Sequence, residues 1–269
     1  MPRGLDHTVH AVRDLDAAAA FYRKLGFTVG ARNRHPWGTH NHIVQFPGYF
    51  IELLTFAEPD KLGTDGFSTL FAAFNRDFIA RGEGLSLQIL ESRDAEADAA
   101  AFRAAGIAQS ETMRFEREGK KPDGSAVKVA FSLAFAKDKA APGIHFAVCQ
   151  QYYPENFWNP AFQQHPNGVT GIAGVVMAAA DPAAHCAFFE KFAGMPARSI
   201  DGGFVLDTPR GAIDVVTPGV YAARYDQPEP RVGDGARLAA LRFIVPGSER
   251  KVVGPQDAMG ATLVFGPAG

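Results

Sequence analysis

The chain has 269 residues, 46% of them hydrophobic, and a formal net charge of −2. That length supports one large or two ordinary domains with real cores, and the near-neutral charge leaves no electrostatic footprint for nucleic acid or for an anionic membrane. Cys149 and Cys186 are the two cysteines, and they form neither a disulfide framework nor a C-x-x-C motif. The opening MPRGLDHTVH lacks the apolar core of a signal peptide, and no apolar run is long enough to span a bilayer. The expectation is a soluble, cytoplasmic protein.

In chain order, residues 5–27 read LDHTVHAVRDLDAAAAFYRKLGF. A short apolar run precedes Asp14, which suits a helix N-cap. Leu15, Ala18, Phe21, Tyr22 and Leu25 then share one helical face, and Gly26 suits the helix end. Three strands follow over FTVGARN (27–33), HNHIVQF (40–46) and GYFIELLTF (48–56), divided by Pro-Trp-Gly and Pro-Gly turns. Residues 85–107, LSLQILESRDAEADAAAFRAAGI, repeat the pattern, with Arg93-Asp94 against Arg13-Asp14 and Gly106-Ile107 against Gly26-Phe27. Strands follow again over SETMRFER (110–117), AVKVAFSLAFA (126–136) and IHFAVCQQY (144–152).

A third copy opens at IAGVVMAAADPAAHCAFFEKFAGM (172–195) and continues through SIDGGFVLDTP and GAIDVVTP. The tail carries a reduced fourth, LAALRFIVP and ATLVFG, without an evident helix. The expected fold class is α+β: repeated β-α-β-β-β modules forming curled mixed sheets around a cleft, three modules plus a reduced fourth. The expected organisation is 1–152 as paired modules, 153–168 as an ordered connector rich in Pro, Asn and aromatics, and 169–269 as the third module with the reduced fourth. There is no G-x-S-x-G, Walker A or H-E-x-x-H motif. DGSAV and SIDGGF read as Asp-Gly hairpin turns.

The opening motif and its β-α-β-β-β unit resemble the vicinal oxygen chelate superfamily, which includes glyoxalase I, extradiol dioxygenases, methylmalonyl-CoA epimerases and bleomycin-resistance proteins. The longer layout, with IHFAVCQQYYPENFW and HPNG ahead of a third unit, resembles the glyoxalase-like domain family over nearly the whole chain. The resemblance implies a cleft between paired modules that often holds a divalent metal, with ligands from the first and last strand of each module. His7 and Glu52 match those positions in the first module, so the resemblance makes them metal ligands, and Glu52 also a proton-transfer base. In the second module Leu87 holds the place of His7 and Ala147 that of Glu52, with Cys149 and Gln151 on the face of Ala147. The third module keeps Asp214 but has Gly174 in place of the histidine.

His40 and His42 lie two apart and share a strand face. They are candidates for missing nitrogen ligands or for the pocket mouth, and Gln151 for a substrate contact. His165 and Asp214 read as structural, His145 as a weaker candidate, and Tyr152, Phe157 and Trp158 as anchors of the connector. Three functions stay open. One is a metal-dependent lyase or isomerase acting on a small oxygen-bearing metabolite through Zn, Ni, Mn or Fe(II). Another is a metal-free, resistance-type binding protein, and ring-cleaving dioxygenation comes third, since Leu87 replaces its second histidine. A sheet edge left by the reduced fourth module suits a homodimer.

Overall fold

Each of the first two repeats turns an Asp into a helix start. In the computed structural model, which describes residues 1–120 and 126–268, Asp14 Oδ1 accepts from Ala17 N–H at 2.9 Å and Asp94 Oδ1 from Ala97 N–H at 3.0 Å. Each bond satisfies a donor that the first helical turn leaves orphaned. Gly26 and Gly106 follow the two helices at φ 84° and 71°, a conformation that a side chain would disfavour.

The first unit runs β1 (Leu5–Ala11), α1 (Leu15–Lys24), β2 (Asn33–Arg34), β3 (Thr39–Phe46) and β4 (Tyr49–Phe56). A π-helical stretch over Phe67–Ala73 then continues into α2 (Phe74–Arg81). The second unit is β5 (Gly84–Glu91), α3 (Ala95–Ala104), β6 (Met113–Lys120), β7 (Ala126–Ala136) and β8 (His145–Gln151), followed by the short α4 (Pro154–Phe157). The third is β9 (Gly171–Ala178), α5 (Ala183–Ala193), β10 (Arg198–Ile200), β11 (Gly203–Asp207) and β12 (Ala212–Val216), capped by α6 (Pro218–Tyr225). The reduced fourth keeps β13 (Arg237–Ile244), β14 (Lys251–Val253) and β15 (Thr262–Gly266). The fold is α+β, with six α-helices among the described residues and one large, curled, unclosed mixed sheet.

Pairing follows the repeats. β1 pairs β4 in parallel and β5 antiparallel, and β5 pairs β8 in parallel. The order β2-β3-β4-β1-β5-β8-β7-β6 makes an eight-stranded trough with β2 and β6 at its lips. β9 pairs β12 in parallel and β13 antiparallel, and β13 pairs β15 in parallel. One core, including Tyr22, Phe46, Phe102, Phe146, Phe189 and Phe243, joins the helix-covered faces of both halves. Two smaller clusters fill the concave faces: one around Val9, Leu87 and Phe71, the other around Val176, Tyr221 and Tyr225.

Three local expectations change. The run 27–33 is strand only at its end, because Gly30 makes one ladder-like bond, to Ile43 O at 2.9 Å. The segments 67–81 and 218–225, unassigned from sequence, are helical and lie over the two concave faces. The reduced fourth unit has a third strand, β14. The Asp123-Gly124 turn of DGSAV lies outside the described residues. Among the described residues no helix is long and apolar enough to cross a membrane.

Candidate functional site

The trough is filled at one end by apolar side chains. Phe67 and Phe71, from the π-helical stretch, pack with Val9, Leu54, Leu87 and Leu133. The rest remains open as a cavity of about 100 Å³, lined by His7, Asn41, Glu52, Gln151, aromatic rings and the edge-strand residue Arg117. A water-sized sphere occupies roughly 10–15 Å³, so the space suits a small molecule.

His7 enters the cavity from β1 beside an irregularity in the ladder. The β1–β5 register shifts between Leu5 and His7, leaving Asp6 as the extra residue of a bulge, which re-aims side chains. Asp6 Oδ1 sits 2.5 Å from His7 Nδ1, and both residues are buried. The carboxylate holds the Nδ1 side of the ring, so Nε2 is the nitrogen left for a ligand. Phe50 stacks on the imidazole at 4.2 Å between centroids. Gln151 Nε2 donates to Asp6 Oδ2 at 3.4 Å, and its buried Oε1 has no partner among the described residues.

Glu52 comes from the middle of β4 and is 5% exposed. Asn41 Nδ2 donates to its Oε1 at 2.6 Å, and Asn33 Nδ2 donates to Asn41 Oδ1 at 3.0 Å. Burial pushes the Glu52 carboxyl above its ordinary value, against the pull of His7 and of the Asn41 bond. Cys149, nearby, stays a thiol: burial first, then Asp6 and Glu52, raise it well above its ordinary value.

The model of the glyoxalase-like domain matches residues 5–192. The chain belongs to the glyoxalase-like domain family. A hypothetical protein from Staphylococcus aureus shares the fold over 99% of this chain and 100% of its own, at 14% identity and a TM-score of 0.72. A mutant of 4-hydroxymandelate synthase from Streptomyces coelicolor matches 91% of this chain and 71% of its own, at 12% identity and TM-score 0.53. Methylmalonyl-CoA epimerase from Mycobacterium tuberculosis matches 58% of this chain and 92% of its own, at 21% identity and TM-score 0.39. No curated protein matches.

The register shows how the glyoxalase-like site is built twice. Val9 pairs Glu52 and Ile89 pairs Ala147, while His7 pairs Ile89 and Val9 pairs Leu87. Leu87 is therefore the counterpart of His7, and Ala147 of Glu52. The second unit contributes no donor at either place. His7 Nε2, Glu52 and the neutral Gln151 amide remain, and among the described residues no group of three or more His, Cys, Asp or Glu side chains is placed to hold a metal. Catalytic zinc sites use three His, Cys or carboxylate ligands; this set offers two such donors and one amide, so it does not fit a catalytic zinc ion.

His40 and His42 are not brought to the cavity, contrary to their expected place at its mouth. His40 Nε2 bonds Glu58 at 2.8 Å and His42 Nδ1 bonds the Gly30 carbonyl at 2.7 Å. Asn41 and Ile43 alternate with them and line the cavity instead. The signal was present: the Pro47-Gly48 turn pairs Phe46 with Tyr49, which sets Ile43 opposite Glu52. Directly paired residues share a face. Phe157, expected only as a connector anchor, lines the cavity too, as does Tyr153. Asp6, Asn41, Trp37 and Arg117 were missed. His145 binds Leu70 O at 2.8 Å and stacks on Phe74, holding the π-helical segment. His165 accepts from Thr28 N–H at 3.1 Å and donates to Gln45 O at 2.9 Å, tying down the connector. Asp214 pairs with Arg224 and Arg242 in the second concave face.

Proposed function

We propose that this glyoxalase-like protein catalyses proton transfer on a small oxygen-bearing compound, as an isomerase or lyase. The site-bearing unit of this reading is residues 1–152, with Tyr153 and Phe157 closing the cavity. The observation that carries it is the buried Glu52 carboxyl, raised above its ordinary value, in one cavity with an imidazole held through Nδ1 by Asp6.

A carboxylate whose charged form is disfavoured by burial is a stronger base when ionised. Glu52 takes the proton from a carbon next to a carbonyl. The electron pair of that bond moves to the carbonyl oxygen. His7, with Asp6 held at its Nδ1, turns Nε2 toward the oxyanion and stabilises it by hydrogen bonding. Return of the proton completes an isomerisation, and departure of a group on the adjacent carbon completes an elimination. Asn41 fixes one Glu52 oxygen, leaving the other for the substrate.

The test is solvent exchange. A panel of small 2-oxo and 2-hydroxy acids is incubated with the protein in D₂O and followed by proton NMR. The reading expects loss of the signal next to the carbonyl for a panel member, slowed about 100-fold or more in Glu52→Gln. Exchange that is as fast in Glu52→Gln contradicts it. A second reading is a binding protein that holds its ligand without turnover. It is supported by Leu87 and Ala147, the apolar residues that the second unit has in the places of His7 and Glu52. Tight binding of a panel member without exchange favours that reading.

A further inference from the structure

The cavity is electrically lopsided. Its lining acid, Glu52, stands on β4 near the middle of the trough, and Asp6 lies behind His7 on β1. At one lip stands Arg117, on β6, which among the described residues pairs only with β7. The other described cations of that hairpin are satisfied: Arg114 and Lys128 both pair with Glu116. Arg117 makes no ion pair among the described residues, and it lines the cavity with Phe115 from the same strand face. Its charge reaches inward, because after burial it is the next cause that lowers His35 to about 4. His35 is therefore neutral near pH 7; Arg34 on β2 also lines the cavity, and Arg117 is the cation whose charge is felt at His35.

A second observation lies beside it. Trp37 is 6% exposed, stacks on Phe67 at 4.5 Å and 6°, and lines the cavity. Its indole Nε1 is buried without a partner among the described residues. An unpaired buried donor is costly, and an oxygen from a ligand would satisfy it. The walls between this lip and Glu52 are aromatic, with Phe67, Phe115 and Phe131 facing the space.

We infer that the site takes a small monocarboxylate with an apolar body. Its carboxylate lies at the lip, with Arg117 as counter-ion and Trp37 Nε1–H as donor. The body lies among the phenylalanine rings, and the opposite end meets Glu52 and His7. The inner acid, Glu52, repels an anion and so sets this orientation. The inference deepens the proton-transfer reading and names the substrate class of the same site.

The test is calorimetric titration with phenylacetate and with its neutral analogue 2-phenylethanol at low ionic strength. Wild type is expected to bind phenylacetate at least 10-fold more tightly than the alcohol. Arg117→Gln should abolish that preference while leaving alcohol affinity within about twofold, and Arg117→Lys should keep part of it. Trp37→Phe keeps the stack, loses the N–H, and should weaken phenylacetate several-fold. Added salt should shrink the preference in wild type. An acid preference that survives Arg117→Gln overturns the inference, as does wild type that binds neither compound or favours the alcohol. Carboxylate binding that needs Arg117 upholds it even if solvent exchange fails, so the two readings fail separately.

Discussion

Asp6 Oδ1 lies 2.5 Å from Nδ1 of His7, its neighbour in sequence. Neighbours in an unbroken strand point to opposite faces, and the shift in the β1–β5 register at this point lets the two side chains meet. Asp6→Asn keeps the shape and removes the charge. The expected result is a His7 ring no longer held with Nδ1–H toward residue 6. Nitrogen-15 imidazole shifts should show mixed tautomers, and the exchange rate should fall roughly 10- to 100-fold. An unchanged tautomer and rate would mean that the pair is only packing.

Glu52→Gln separates burial cost from function. Burial raises the native Glu52 carboxyl above its ordinary 4.5. A raised native pKa means that the folded state prefers the neutral acid. Its favourable contribution is complete below about pH 4.5 and is lost as pH rises through the native value. The glutamine variant has no such loss. Its stability relative to wild type should therefore rise between pH 4 and pH 8, by about 1.4 kcal/mol per unit of native shift. Denaturation curves at both pH values check this, and a constant difference would contradict it.

Leu87 holds the place that mirrors His7 and is fully buried. Leu87→His adds a third strong donor to His7 and Glu52. The expected result is a variant less stable alone, by about 1–3 kcal/mol for the buried polar ring, and stabilised by Zn²⁺ through binding to the native state. Melting of wild type should not respond in the same way. A variant indifferent to Zn²⁺ would show that His7 Nε2 and Glu52 do not converge on that point.

Gly174 is the third-unit counterpart of His7. A Cβ there would meet Ala212 O at 2.5 Å and an Arg242 nitrogen at 2.5 Å. The backbone contact has no slack, so Gly174→Ala should cost about 1–3 kcal/mol. It should also disturb the Arg242–Asp214 pair without altering carboxylate binding in the first trough. Urea denaturation and titration of the same variant measure both.

Much of this fold is written locally. Asp14, Asp94, Gly26 and Gly106 announce the helix ends, and the matching offsets announce the repeat. The covering segments went unread although each has a cap, Asp65 accepting from Ser68 N–H and Thr217 from Val220 N–H; they lie outside the repeat, and the first is held by tertiary contacts such as His145 with Leu70 O. At the site, the sequence marks His7, Glu52 and Gln151 as polar groups in apolar strands. It does not mark Asp6, because a bulge is a property of two paired strands. His40 and His42 drew attention over Asn41 because strand alternation gives faces but not which face is inside, and a slip of one residue exchanges them. Trp37 sits in a Pro-Trp-Gly turn, and only its stack on Phe67 shows that the turn folds over the cavity.

The central claim is that Glu52 is a buried acid–base group, and its own titration tests this most directly. Carbon-13 NMR of the side-chain carboxyl carbons, assigned through Glu52→Gln, gives its midpoint. The account predicts a midpoint above 4.5, moving higher still in Asn41→Leu, where the hydrogen bond that favours the charged form is gone. A midpoint at or below 4.5 in wild type would contradict it.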